Sequence, residues 1–176
     1  MRVAVYELIL ELAPRRLRGE RKGHTFQVTA LANEIWKKLD ERKMLDVLAR
    51  GTTPATKALI GGMIRHFLID YGRRRLARFR AEGHHQLDVA DVDIELDLSA
   101  FAAGANCVAV TVFVDALDKL AELDPEASEV FNLRVFAGLK SQEIAEMLNR
   151  AVRTVQLAYK RAQVILAREI EGRIDP

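Results

Sequence analysis

The sequence predicts an all-α protein built as two small helical domains that are joined by an acidic linker. Apolar residues recur at helical spacing, and only four prolines and ten glycines interrupt the 176 residues. Apolar residues make up 49% and charged residues 30%, which is typical of a folded helical chain rather than of a disordered tail. The division into domains is predicted by the distribution of charge.

Charge is distributed unevenly along the chain. Residues 1–83 contain 18 Lys and Arg against 9 Asp and Glu, whereas residues 84–112 contain 5 acidic residues and no basic one. Residues 113–176 contain 9 basic and 11 acidic residues. We therefore expect domains at 1–83 and 112–176 with an acidic linker at 84–111, and a polyanionic partner for the first domain.

Two helices are predicted in the first domain, one over 28–40 and one from roughly Thr56 to Arg80. Both carry an apolar stripe at helical spacing. After Tyr71 the pattern changes to GRRRLARFR. Successive residues of a helix lie about 100° apart, so these arginines cannot all face a core. They therefore project into solvent or onto a ligand.

The connecting segment offers two interpretations. Residues 84–98 alternate acidic and apolar positions, which is the period of a half-buried strand. No partner strand is evident, and this favours an extended linker.

The uncharged run at 98–114 is short and polar for a membrane span. The apolar N-terminus is interrupted by Glu7 and Glu11 and no small-residue cleavage site follows, which argues against a signal peptide.

Four helices are predicted in the last third, over about 112–122, from Asp124 to Gly138, over 141–148 and over about 151–171. Asp124-Pro125-Glu126 supplies an N-cap, a proline at the first helical position and an early acid. The last two helices have the spacing of a helix-turn-helix, in which Ile144, Ala145 and Leu148 would pack against Val155. A short αα-hairpin could share this spacing.

Motifs for catalysis are missing from the sequence. The four histidines, His24, His66, His84 and His85, form no metal-binding motif, and no glycine-rich phosphate loop occurs. Cys107 is the single cysteine, so the chain cannot form an internal disulfide, which fits a reducing cytosol. We therefore expect no enzyme, catalytic residue, metal or cofactor.

The arginine cluster that ends the second predicted helix also has two interpretations. It could be a solvated helix end whose cations complement the helix dipole. It could also contact phosphates, while the neighbouring Tyr71 and Phe79 stack on unpaired bases. Five arginines in eight residues exceed what solubility requires, which favours nucleic acid. The five are Arg73, Arg74, Arg75, Arg78 and Arg80.

Two parts of the chain resemble bacterial sigma factors of the extracytoplasmic-function type. The first domain of that family is similar to RRLRGERKGHTFQVTALANEIWKKL and MIRHFLIDYGRRRLARFR. The second is similar to LDKLAELDPEASEVFNLRVFAGLKSQEIAEMLNRAVRTVQLAYKRAQVILAREI. These segments cover well over half of the chain in the family's order. LRGERKGHT and ANEIWKKL are the more specific pieces and resemble a subgroup of the family.

The resemblance implies a cytoplasmic sigma factor that binds core RNA polymerase and promoter DNA without a membrane, and it leaves open an anti-sigma partner. The implied contacts with core polymerase are Asn33, Glu34, Trp36 and Lys37. Those with the promoter −10 element are Arg65, Asp70, Arg73, Arg74, Arg75 and Arg78. Those with the −35 element are Arg153, Gln156, Lys160 and Arg161.

Several positions depart from the family's pattern. Asn149 and Arg150 replace the usual glycine and apolar residue of the turn. Asparagine tolerates the left-handed conformation, but Asn149 could instead cap the last helix and start it early. Lys140 occupies a Ser/Thr cap position, with Ser141 as a substitute. We also expect the first domain to lack an opening helix.

Two alternative functions stay open at this point. One is a sigma-like regulator that binds DNA or polymerase without initiating transcription. The other is a helical interaction module that sequesters a protein and ignores DNA. Binding through several arginines should weaken steeply with salt, whereas the module should show a flat response.

Overall fold

The computed structural model describes residues 2–12, 28–48, 53–81 and 107–172. Within these ranges every regular element is a helix, which confirms the predicted all-α class. The helices are α1 (Arg2–Leu12), α2 (Val28–Glu41), α3 (Leu45–Leu48), α4 (Pro54–Ala81), α5 (Cys107–Leu123), α6 (Pro125–Val135), α7 (Ser141–Leu148) and α8 (Val152–Glu171). The predicted linker and the alternating segment 84–98 lie outside the described residues.

The expectation that the first domain lacks an opening helix is wrong. Helix α1 buries Val5, Leu8, Ile9 and Leu12, which follow one another at the three- and four-residue spacing of a single helix face. Glu7 and Glu11, which interrupt the apolar run in the sequence, are exposed on the other side. The two glutamates therefore form the polar face of an amphipathic helix, whose apolar face packs on α2 and α4.

The two helices predicted in residues 1–83 are confirmed and extend slightly beyond their predicted ends. Helix α4 begins at Pro54, and Thr53 Oγ1 accepts a hydrogen bond from the Thr56 backbone N–H at 3.2 Å. A threonine cap followed by proline at the first helical position satisfies one exposed donor and tolerates the missing one. Ile60, Ile64 and Leu68 of α4 are buried.

The local signals identified in the last third are also confirmed. Asp124 Oδ1 accepts the Ala127 backbone N–H at 2.9 Å and caps α6, with Pro125 as its first residue. Helix α6 ends at Val135, before Gly138, which adopts a φ of 67°. Helix α5 begins at Cys107, about five residues earlier than the sequence predicts.

The larger of two apolar clusters contains residues of both predicted domains. Ile60 and Ile64 of α4 belong to the same buried cluster as Leu117 of α5 and Leu166 of α8. A second cluster joins α6, α7 and α8 and includes Ile144, Ala145 and Val155, so the predicted packing of the last two helices is confirmed. The α4 surface consequently lies directly against α5, α6 and α7.

The turn between α7 and α8 resolves the two interpretations of Asn149. Asn149 adopts φ 50° and ψ 52° at the end of α7, in the left-handed region, and the Arg150 backbone N–H donates to Ala145 O at 2.8 Å. Ala151 is the N-cap of α8 and makes no side-chain cap hydrogen bond. The alternative in which Asn149 caps the last helix and starts it early is therefore wrong, and the helix begins at Val152, close to its predicted start.

The start of α7 also differs from expectation, because Ser141 does not replace Lys140 as a cap. The Lys140 backbone N–H donates to Glu143 Oε2 at 2.7 Å, while the Ser141 hydroxyl accepts a hydrogen bond from Arg134 Nη1 at 2.8 Å. A glutamate that reaches back from the third helical position satisfies the exposed N–H here.

Candidate nucleic-acid interface

Helix α2 presents three of the four residues predicted to contact core polymerase on its exposed surface. Asn33 and Lys37 are exposed, and Glu34 is half-buried. Trp36 is half-buried and packs against the core, with its ring 5.5 Å from the ring of Tyr6 in an edge-to-face arrangement. Tyr6 OH also donates to Asn33 Oδ1 at 2.9 Å. Helix α1 therefore orients this face through Tyr6, a residue that the sequence analysis did not single out.

The charged residues of this face pair only along α2 itself in the described part of the chain. Glu34 lies 4.0 Å from Lys38, and Lys37 lies 3.9 Å from Glu41. Exposed pairs at this spacing contribute about 0.3–0.5 kcal/mol each. Replacing them by contacts with a protein partner therefore costs little. Beside them, a depression of about 260 Å³ separates α2 from α4 and is lined in part by Glu34, His66 and Asp70.

On α4, two of the predicted −10 residues are engaged by an acid from α5. Asp118 accepts a hydrogen bond from Arg73 at 2.9 Å and lies 4.0 Å from Arg65. The Arg65 side chain is only 17% exposed, and its Nε, although buried, has no hydrogen-bond partner among the described residues. Burial lowers the pKa of Arg65, against the opposing effect of Asp118, and nearby Arg73 lowers it further. Helix α5 thus covers part of the predicted −10 surface.

The remaining predicted −10 residues lie on the exposed side of α4 or outside the described side chains. Arg74 is exposed, and its Nε donates to Asp70 O at 3.2 Å. Asp70 is exposed as well. Arg75 and Arg78 lie within α4, but their side chains are outside the described residues.

Three of the four predicted −35 residues line one depression on α8. Arg153, Gln156 and Lys160 are exposed and border an open depression of about 490 Å³. The same depression is lined by residues that the sequence analysis did not select, namely Arg134, Ser141, Leu157, Tyr159 and Gln163. The buried side of α8 is formed by Val155, Ala158, Ala162, Leu166 and Ile170. The arrangement places donors, acceptors and one aliphatic side chain along a single exposed helix face.

Arg134 is the most informative of the residues that the sequence analysis missed. Its guanidinium lies 4.9 Å from the centre of the Tyr159 ring and donates to the Ser141 hydroxyl at 2.8 Å. It therefore holds the start of α7 beside α8. A basic residue at the end of α6 has no distinguishing local pattern, so only the tertiary contact identifies it.

Arg161 lies apart from the other predicted −35 residues. Its Nε donates to Asp124 Oδ2 at 2.7 Å and its Nη2 donates to Glu126 Oε2 at 3.1 Å, both at the start of α6. Hydrogen bonding to Arg161 lowers the pKa of Asp124, and hydrogen bonding to Asp124 raises the pKa of Arg161. Arg150 lies 3.8 Å from Glu126 in the same group. Arg161 therefore ties α8 to α6.

Two further properties of the described residues bear on function. They contain no group of three or more potential metal ligands. None of their helices combines the length and hydropathy needed to cross a bilayer.

The comparisons with known proteins give one match. The family model described as ECF sigma factor, where ECF stands for extracytoplasmic function, matches residues 1–172. Neither the curated proteins nor the solved structures contain a match to the chain.

Proposed function

Because the chain belongs to the ECF sigma factor family, whose members are non-enzymatic factors of transcription initiation, we propose that it directs core RNA polymerase to a specific set of promoters. We assign core-polymerase and −10 binding to residues 1–83 and −35 binding to residues 112–176, with 84–111 as the linker. The observation that supports this best is the exposed α8 face, where Arg153, Gln156 and Lys160 border one depression in a chain matched over nearly its full length.

The chemistry of that face suits a DNA major groove. Arginine and lysine donate to guanine O6 and N7, and glutamine can pair with adenine N6 and N7. Each such contact contributes about 1–3 kcal/mol of discrimination, and cationic side chains that reach phosphates add affinity that depends on salt. Three contacts on one short face are enough to favour a subset of promoters over others.

The first test is co-elution of the protein with sigma-free core RNA polymerase. A charge-exchanged variant, Glu34→Lys/Lys37→Glu, alters the exposed face of α2 without changing the net charge. The matched control is Lys119→Glu/Glu122→Lys, which exchanges an exposed pair on α5 that lies 3.0 Å apart. We expect the wild type and the control to co-elute with core enzyme and the α2 variant to elute separately, while all three remain folded at the assay temperature. The α2 variant should unfold slightly more easily, because Lys38 and Glu41 each face a like charge in it. A wild-type protein that does not bind core enzyme would contradict the proposal.

The second test examines promoter recognition in the assembled holoenzyme. Arg153→Ala/Lys160→Ala should reduce promoter-dependent transcription. The plot of the logarithm of the DNA-binding constant against the logarithm of the salt concentration should also become less steep. Its slope should fall in magnitude by about 0.9 for each phosphate that the variant no longer binds. Arg168→Ala is the matched control, because Arg168 is an exposed cation in the last turn of the same helix. The variant removes two cations and the control removes one, so equal effects for each removed cation would count against recognition by this face.

A sigma-like regulator that does not initiate is the second candidate, and the pairing of Arg65 and Arg73 with Asp118 favours it. In that arrangement two residues of the predicted −10 surface are already bound within the chain. A holoenzyme that binds promoter DNA but yields no transcript from a linear or a pre-melted template would identify this function.

A further inference from the structure

Among the described residues, Leu157 is the one aliphatic side chain that lines the depression on α8, and it belongs to neither apolar cluster. It is 49% exposed, although it lies in the middle of a well-formed helix. The apolar residues that pack around the cluster of α6, α7 and α8 include its neighbour Tyr159 but not Leu157. A single exposed leucine is ordinary on protein surfaces, so exposure alone carries no inference.

The position of Leu157 is what distinguishes it. It lies one helical turn after Arg153 and one turn before Lys160, and all three line the same depression with Gln156. It is the sixth residue of α8, within the first two turns, which is the part of a recognition helix that meets base edges. The surrounding side chains are mostly cationic or amide-bearing, which complements DNA rather than an apolar protein surface.

From this placement we infer that Leu157 reads a thymine in the −35 element by contact with the thymine C5-methyl group. The inference rests on the proposed function. Among the groups that base edges expose in the major groove, the thymine methyl is the apolar one, and an aliphatic side chain beside hydrogen-bonding neighbours can select it. Arg153, Gln156 and Lys160 would fix the helix on the duplex, and Leu157 would add discrimination that no hydrogen bond supplies.

The experiment removes the methyl group from the DNA instead of removing a base pair. A −35 element is first selected from random DNA with the wild-type holoenzyme. Each thymine of that element is then replaced singly by deoxyuridine, which keeps every hydrogen-bonding group. One replacement should weaken wild-type binding about fourfold, the value expected when one buried methyl group is removed.

The protein variants assign the effect to Leu157. With Leu157→Ala, thymine and uracil at that position should bind equally, while the response to the other positions stays as in wild type. Val164→Ala is the matched control, because Val164 is an exposed aliphatic residue two turns further along α8 and outside the depression. That variant should retain the fourfold preference for thymine. Both side chains are exposed, so thermal unfolding should be unchanged in either variant.

Two outcomes would overturn the inference. The selected element could contain no thymine, or Leu157→Ala could retain the wild-type preference for thymine over uracil. In the second case, a loss of transcription would assign the leucine to a protein contact. A wild-type holoenzyme that selects no −35 element at all would instead contradict the proposed function, and the inference with it.

Discussion

Gly61 of α4 lies against Ala137 so closely that a Cβ on Gly61 would sit 2.6 Å from the Ala137 Cα and backbone N. Ala137 belongs to the turn between α6 and α7, so this approach joins the two predicted domains. The neighbouring Gly62, in contrast, has nothing within 4 Å of a built Cβ. The close approach explains the glycine at position 61, whereas nothing near position 62 requires one.

The first prediction uses this contrast. Gly61→Ala should reduce the free energy of unfolding by about 1–3 kcal/mol, because backbone atoms must shift to admit the methyl group. Gly62→Ala should increase it by about 0.5–1 kcal/mol, since alanine is preferred within a helix. Urea unfolding of the two variants measures both values. If both substitutions stabilise the protein equally, α4 does not pack on this turn in solution.

The second prediction concerns the pairing of Arg73 with Asp118. Asp118→Asn should raise the affinity of the free chain for a labelled single-stranded oligonucleotide about two- to fivefold. The reason is that Asp118 competes with phosphate for Arg73 and Arg65, and the exposed pair with Arg73 contributes about 0.2–1 kcal/mol. Fluorescence anisotropy at moderate salt measures the change.

Glu122→Gln is the control for this prediction, because Glu122 carries the same charge on α5 but pairs with Lys119 instead. The substitution should leave the affinity close to that of the wild type. An equal gain in both variants would mean that net charge, and not release of Arg65 and Arg73, sets the affinity.

The third prediction follows from the lowered pKa of Asp124. A carboxylate whose folded pKa lies below its ordinary value of about 3.9 stabilises the fold above that pH. This stabilisation disappears as the pH falls through the folded pKa. Asp124→Asn keeps a good N-cap but lacks the charge-assisted bond to Arg161, so it should unfold about 1 kcal/mol or less more easily at pH 7.

The difference between wild type and Asp124→Asn should shrink below about pH 4 and vanish at lower pH, as Asp124 becomes protonated in both states of the wild type. Urea unfolding across this range tests it. A difference in unfolding free energy that stays constant down to about pH 2 would show that it does not come from the ionised carboxylate of Asp124. Asp124→Ala should be about 1 kcal/mol less stable again, because the cap itself is removed.

The fourth prediction concerns the left-handed residue between α7 and α8. Asn149→Ala should destabilise the protein by about 1–2 kcal/mol, because a Cβ without a polar group disfavours φ 50°. Asn149→Gly should retain the stability of the wild type or exceed it slightly. Thermal unfolding of the pair measures this, and equal destabilisation by alanine and glycine would point to a side-chain contact instead of backbone conformation.

Local features of the fold could be predicted from the sequence because their causes are local. The cap at Asp124 and the left-handed Asn149 depend on residues within a few positions of each other. The exposed side of α8 could be predicted for the same reason, since helical periodicity separates Arg153, Gln156 and Lys160 from the buried Val155. Helix α1 was not expected, because that expectation rested on the family's pattern and not on the helical spacing of Val5, Leu8, Ile9 and Leu12.

Which cations are paired within the chain was decided by tertiary structure alone. Arg73 meets Asp118 across 45 residues of chain, and Arg161 meets Asp124 across 37. No periodicity reaches over such separations, so the family resemblance implied DNA contacts for Arg65, Arg73 and Arg161 alike. The sequence by itself determined most of the helices, the cap at Asp124 and the family. Packing of α5 on α4 and of α8 on α6 decided which of these arginines are engaged by carboxylates, because ion pairs depend on distances that only the folded chain sets.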